Sequence, residues 1–210
     1  MAEAVFGLIG VLIGVFSTWG QSWWSEKRST GRAAHYLAVR VVCVLDRYVE
    51  KCVEVVSDDG LCFGQRNANG CLEPQVPLPG PPKFPEDVDW KSISHDLMYR
   101  LLSMSSDVEE ADKSIAFVWH AIASPPDYDE FFDERNYQYG RIGLKASAFA
   151  DELRKTYRIP QREQGDWNPL EKLSEAIREV EEARRKRAGS MATLMADIED
   201  QQGEEKSPVG

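Results

Sequence analysis

Histidines and carboxylates are the side chains that hold metals and move protons near neutral pH, so they are read first. The chain has three histidines, His35, His95 and His120. Asp96 follows His95 directly, His35 lies upstream and Asp151 downstream, which gives the order His, His-Asp, Asp. Imidazole nitrogens and ionised carboxylates suit a divalent metal, which acidifies a bound water and makes it a nucleophile. The chemistry of such a set would be metal-assisted hydrolysis. Its requirement is that four side chains from three places in the chain converge.

That order resembles the helical HD-type metal phosphohydrolases. The resemblance implies a helical bundle in which His35, His95, Asp96 and Asp151 hold the metal. It covers four residues, and the surroundings here are SISHDLMYRLL in place of that family's Gly/Ala-rich context. The plainer reading sets His95 and Asp96 on the solvent side of the first turns of a helix. We adopt the plainer one, which expects no metal, no cofactor, no catalytic residue and, on balance, no enzyme.

The acidic, aromatic stretch DYDEFFDERNYQY (127–139) is the second cluster. A calcium loop needs alternating oxygen ligands and a glycine at its bend. The stretch has neither, and it reads as an acid-rich helix N-terminus favoured by the helix dipole. His120, beside Trp119, reads as half-buried. The chain has no phosphate-binding glycine loop, no G-x-S-x-G and no H-E-x-x-H. Of the four cysteines, Cys43 and Cys52 fall in a helical apolar pattern and read as core, while Cys62 and Cys71 flank a Gly- and Asn-rich loop. No C-x-x-C is present, so the spacing does not suggest zinc.

The elements that position these groups start from an anchor. No charged side chain occurs between Glu3 and Glu26. Residues 4–25 would rise about 33 Å as a helix, and a bilayer core is about 30 Å thick. Residues 1–25 therefore read as a transmembrane helix. Trp19, Trp23 and Trp24 would sit at the membrane interface, followed by Lys27, Arg28 and Arg32. The N-terminal flank has no Lys or Arg, so the positive-inside rule places the N-terminus outside and the body in the cytoplasm. Gly7, Gly10 and Gly14 share one side, and Gly10 with Gly14 makes a G-x-x-x-G, a packing stripe for a homodimer through the membrane helix.

Residues 58–210 hold 30 Asp and Glu against 19 Lys and Arg. Such a body is repelled by nucleic acid and by anionic lipid, which leaves lipid contact to the anchor and its basic collar.

The body, 26–188, reads as a bundle of four to five helices. A polar joint containing Gly31 precedes a helix over 33–57, with Leu37, Val41, Val44, Leu45, Tyr48, Cys52 and Val55 inward and Gly60 as its left-handed cap. Residues 61–73 read as a small hairpin. Six of the chain's eleven prolines lie in 74–85, which must be an extended strap, with Leu78 and Phe84 tucked inward. Asp89 caps a helix carrying Ile93, Leu97, Leu101 and Met104. A capping box at Ser106–Glu109 opens the next, with Val108, Ala111, Ile115, Val118, Trp119 and Ile122 inward. Pro125 and Pro126 stop it. A long helix over 128–157, broken near Gly140 or Gly143, buries Phe131, Phe132, Tyr139, Ile142, Phe149 and Leu153. Asn168 with Pro169 opens the last helix, with Leu170, Leu173, Ile177 and Val180 on one face. It ends in ARRKR, and 189–210 reads as a flexible acidic tail.

The fold expected is mainly α, a single-pass membrane anchor followed by a cytoplasmic bundle. The function expected is a membrane-anchored interaction or scaffold protein, with a membrane-bound HD-like phosphohydrolase as the alternative.

Overall fold

The computed structural model describes residues 2–161 and 167–205, with side chains for 27–161 and 167–193. Among them run α1 (Ala2–Val56), a 3-10 turn (Trp90–Ser92), α2 (His95–Leu102), α3 (Met104–Ala121), α4 (Asp129–Tyr157) and α5 (Pro169–Glu205), and no strand. The fold is mainly helical, as the apolar spacing predicts.

Helix α4 is the hub, packed by α1, α3 and α5. Its buried stripe carries Phe131, Phe132, Tyr139, Ile142, Ala146, Phe149, Ala150 and Leu153. Spacings of three and four place these on neighbouring turns of one helical side. The partners are antiparallel to it. His35 meets the Tyr157 carbonyl and Asp58 meets Arg135 at the two ends of the α1 contact. Lys145 reaches Asp107, and Ser114 reaches Glu134, along α3. Gly143 lies against Leu173 and Glu134 against Arg184 along α5.

The break expected at Gly140 or Gly143 is absent, and α4 is continuous. Both glycines are buried for close approach. A Cβ on Gly140 would lie 2.8 Å from Ile177 Cγ1, and one on Gly143 would lie 2.8 Å from Leu173 Cδ1 and 2.9 Å from Cys52 Cβ. Each glycine costs a helix interior roughly 1 kcal/mol relative to alanine. Backbone-close packing of three helices offsets that.

Four further elements differ from expectation. The joint at Gly31 does not form, and α1 runs through it with open space beside the glycine. One glycine without a proline or a competing cap weakens a helix but does not end it. Cys43 is exposed, so the core role falls to Cys52 alone of that pair. Asp89 caps only the 3-10 turn, through Lys91 N at 3.0 Å, and Ser94 caps α2 through Leu97 N at 3.3 Å. The capping box at Ser106 to Glu109 is pre-empted, because the Ser103 carbonyl already accepts the amides of Ser106 and Asp107 at 3.0 and 3.1 Å. Toward the end of α5, the helix continues to Glu205 past the expected tail boundary.

The inward residues hold better than the boundaries. Leu37, Val41, Leu45, Cys52, Val55, Leu97, Leu101, Met104, Val108, Leu153 and Leu173 are all buried. Trp119 and Ile122 are not, because the last turns of α3 run beyond the core.

The hairpin expected over 61–73 is an irregular loop with one isolated bridge, Cys62 to Gln65. Cys62 and Cys71 are free thiols. The strap over 74–85 lies as the prolines demand, with Leu78 and Phe84 packed on the core.

Among the described residues no helix is long and apolar enough to cross a membrane. The side chains of 1–26 lie outside the described residues. Those side chains include the anchor's over 1–25 and the interfacial Trp19, Trp23 and Trp24, and the packing of the Gly7, Gly10 and Gly14 stripe lies outside the described residues with them.

Candidate functional site

The four metal candidates are not brought together. The exposed His35, on α1, donates through Nδ1 to the Tyr157 carbonyl at 3.0 Å. His95 is exposed in the first turn of α2. Asp96 accepts Arg100 Nε at 2.8 Å, while Arg100 also grips Glu152 with two bonds of 2.9 and 2.6 Å. Asp151 faces Arg154 at 3.6 Å. Among the described residues no three His, Cys, Asp or Glu side chains form a group that could hold a metal. The carboxylates of this set are engaged by arginines.

The acidic stretch has the same fate. Arg184 holds Glu134 at 2.5 Å, Arg187 holds Asp133, and Arg66 holds Asp127. Burial alone would raise the Glu134 pKa. Hydrogen bonds from Gln138, Ser114 and Arg184 outweigh it and bring the carboxyl below its ordinary value. For Asp133 burial wins over Arg187, and its pKa is raised. Of the cations of ARRKR, Arg184 and Arg187 reach across to α4.

A concave site lies elsewhere, between α3, the start of α4, and the loop and strap. Its volume is about 650 Å³. Leu72, Leu78, Ile115, Trp119, Tyr128 and Phe131 supply its apolar walls, and Asn67, Asn69, Glu73, Asp112 and His120 supply polar groups. Trp119 is 39% exposed although its ring meets Tyr128 and Phe131 at centroid separations of 4.9 and 4.8 Å. Edge-to-face and tilted contacts of this kind hold aromatic rings in register.

Polar bonds fix the irregular wall. Asn67 Oδ1 accepts the amides of Asn69 and Cys71, each at 3.0 Å, and so folds the loop tip. Leu72 N donates to the Pro126 carbonyl and Glu73 N to the Gly60 carbonyl, each at 3.0 Å. Gly60 supplies the left-handed turn after α1, at φ +71°, and a Cβ there would strike Phe132.

The strap is pinned by a buried ion pair. Asp58 Oδ2 accepts Gln75 N and Val76 N at 2.9 Å and Arg135 Nη2 at 3.0 Å. Arg135 Nη2 also donates to the Val76 carbonyl at 2.9 Å. The two side chains are 3% and 1% exposed. Burial lowers the Arg135 pKa from its ordinary value, against the pull of Asp58. The Arg135 guanidinium also stacks 5.5 Å from the Phe131 ring, which backs the cleft.

A second pin is Tyr139, whose hydroxyl reaches Asp112 Oδ1 at 2.7 Å and the Pro79 carbonyl at 3.0 Å, one proton serving both acceptors. Burial, then the Asp112 carboxylate, raises its pKa and keeps that proton in place.

Sequence reasoning missed Arg135 and Asp58. One signal was present: Arg135 stands between Phe131 and Tyr139 at steps of four, a cation inside an apolar stripe, and a buried cation requires a partner.

No protein-family model matches the chain, and neither a curated protein nor a solved structure shows detectable similarity to it.

Proposed function

We propose that the chain is a membrane-anchored helical interaction protein that holds a protein partner in the cleft between α3 and the pinned loop and strap. The cleft is the observation that carries the reading. Ligand sites are concave, mostly apolar, and supplied with a few placed polar groups. This one has a half-open indole at its mouth and walls fixed by buried hydrogen bonds. Fixed walls favour binding, because less freedom is lost when the partner docks.

The anchor is argued from composition. Residues 4–25 carry no charge, tryptophans follow, and Lys27, Arg28 and Arg32 come next, exposed on α1. That order favours a single span with the body in the cytoplasm. Gly10 and Gly14 favour self-association of two such spans. The hydrolase reading has no support from the geometry, since His35, His95, Asp96 and Asp151 do not gather.

Alkaline carbonate extraction tests the anchor. The full chain stays with membranes, and a chain lacking 1–25 moves to the soluble fraction. Release of the full chain into the soluble fraction would end the membrane part of the reading.

A further inference from the structure

We infer that the cleft takes a basic peptide: an extended segment of a partner protein that lays an arginine or lysine, flanked by an apolar residue, against Trp119 and Tyr128 and beside Asp112 and Glu73. The inference rests on the cleft being the binding face and adds the chemistry of its occupant.

Charge decides the sign. The lining holds two carboxylates, Glu73 and Asp112, and no lysine or arginine. Asp112 commits Oδ1 to the Tyr139 hydroxyl, and Oδ2 has no partner among the described residues. The single cation of the loop, Arg66, is engaged by Asp127 and by the Gly70 carbonyl at 3.2 Å. Arg135, behind the aromatic wall, is neutralised by Asp58. A phosphate or carboxylate entering here would meet two carboxylates with His120 as the one cationisable group of the lining, and a cation would be attracted.

The walls favour the same class. An arginine or lysine head is drawn to the face of an aromatic ring, most strongly that of tryptophan, and its stem packs on apolar surface. Leu72, Leu78 and Ile115 offer that surface around Trp119 and Tyr128.

The rim argues for a peptide over a free organic cation. The Asn69 side-chain amide has no partner among the described residues, its backbone being the part that bonds Asn67 and Cys71. A primary amide presents one donor face and one acceptor, the complement of a peptide group. At about 650 Å³ the cleft has room beyond one side chain, in the range of sites that enclose drug-sized ligands.

The test is calorimetric titration of the full chain in mild detergent with acetylated, amidated Ala-Leu-Arg-Leu-Ala. Two controls are the same peptide with citrulline in place of arginine, and N-butylguanidinium alone. The expected result is saturable binding to the arginine peptide. It should weaken by about tenfold or more with citrulline, a difference worth about 1.4 kcal/mol. The double variant Glu73→Gln with Asp112→Asn should weaken it similarly. Asn at 112 keeps an oxygen for Tyr139, and an unchanged circular dichroism spectrum confirms the fold. N-butylguanidinium should bind at least tenfold more weakly than the peptide. Equal affinity for the citrulline peptide would overturn the charge argument, and N-butylguanidinium matching the peptide would make this a small-molecule site. Absence of saturable heat at millimolar peptide would overturn the inference outright. Photo-crosslinking from the cleft to a partner lacking any basic segment would sink the inference while leaving the cleft as the binding face.

Discussion

Helix α4 has two faces that are held in different ways. Against α1 and α5 the middle of the contact is one of shape, with ion pairs toward its ends, Arg154 to Asp46 on α1 and Arg184 to Glu134 on α5. Gly140 and Gly143 let neighbouring side chains come almost to the backbone, and Leu45, Cys52, Leu153 and Leu173 fill the rest. Against the loop and strap the contact is one of bonds. Asp58, Arg135, Tyr139 and Asp112 tie irregular backbone to the helices. Helices satisfy their own backbone groups and need only fill space where they meet. A proline strap has amides and carbonyls with no ladder to join, and buried side chains must supply the partners. The cleft opens on the second face, where the shape of the wall is set by directed bonds.

Breaking the pin should have the largest effect. Arg135→Met leaves Asp58 buried without its counter-charge, and the expected loss is about 3–5 kcal/mol by urea unfolding. Adding Asp58→Leu should not restore it, since Gln75 N, Val76 N and Gly60 N lose their acceptor too. Recovery in the double variant would mean that the pin matters only as a charge pair.

The glycine face comes next. Gly143→Val forces atoms into Leu173 and Cys52, at an expected cost of about 1–3 kcal/mol. Ligand binding in the cleft should be unchanged once the protein is folded, because this face does not shape the cleft. A matching loss of peptide affinity would show that the two faces are not separate.

Acid sharpens the same contrast. Glu134 has a lowered pKa in the folded chain. A group of that kind contributes stability that is fully present above its unfolded value, about 4.3, and is lost as pH falls through the folded value. Glu134→Gln should therefore be less stable than the wild type at neutral pH, by about 1.5–3 kcal/mol. The gap should close as pH falls below about 4. A gap independent of pH would assign the loss to packing.

The smallest effects separate two buried tyrosines. Tyr139→Phe removes the bonds to the Asp112 carboxylate and the Pro79 carbonyl and should cost about 1.5 kcal/mol. The Tyr48 hydroxyl is buried with no hydrogen-bond partner among the described residues. Tyr48→Phe should be neutral or slightly stabilising in the same thermal melt.

These two faces were unequally legible. Apolar residues at steps of three and four gave the helices and most of their buried positions, because burial on a helix is periodic. The strap was legible from its prolines, which exclude helix and ladder. The glycines were misread as breaks, since sequence does not say whether a glycine bends a helix or admits a neighbour. The pin joins residues 58, 75, 76 and 135, and no local spacing relates them. Trp119 was placed inward by its period, and only the geometry of the last turns of α3 turns it into the mouth of a cleft.

The interaction reading is tested most directly by a photo-crosslinking residue placed at Ala116, which lines the cleft, and at Glu179, exposed on α5, in the full chain in its native membranes. The account predicts a discrete adduct from position 116 that disappears with Trp119→Ala, and none from position 179. Equal labelling from both positions, or no adduct from position 116, would contradict it.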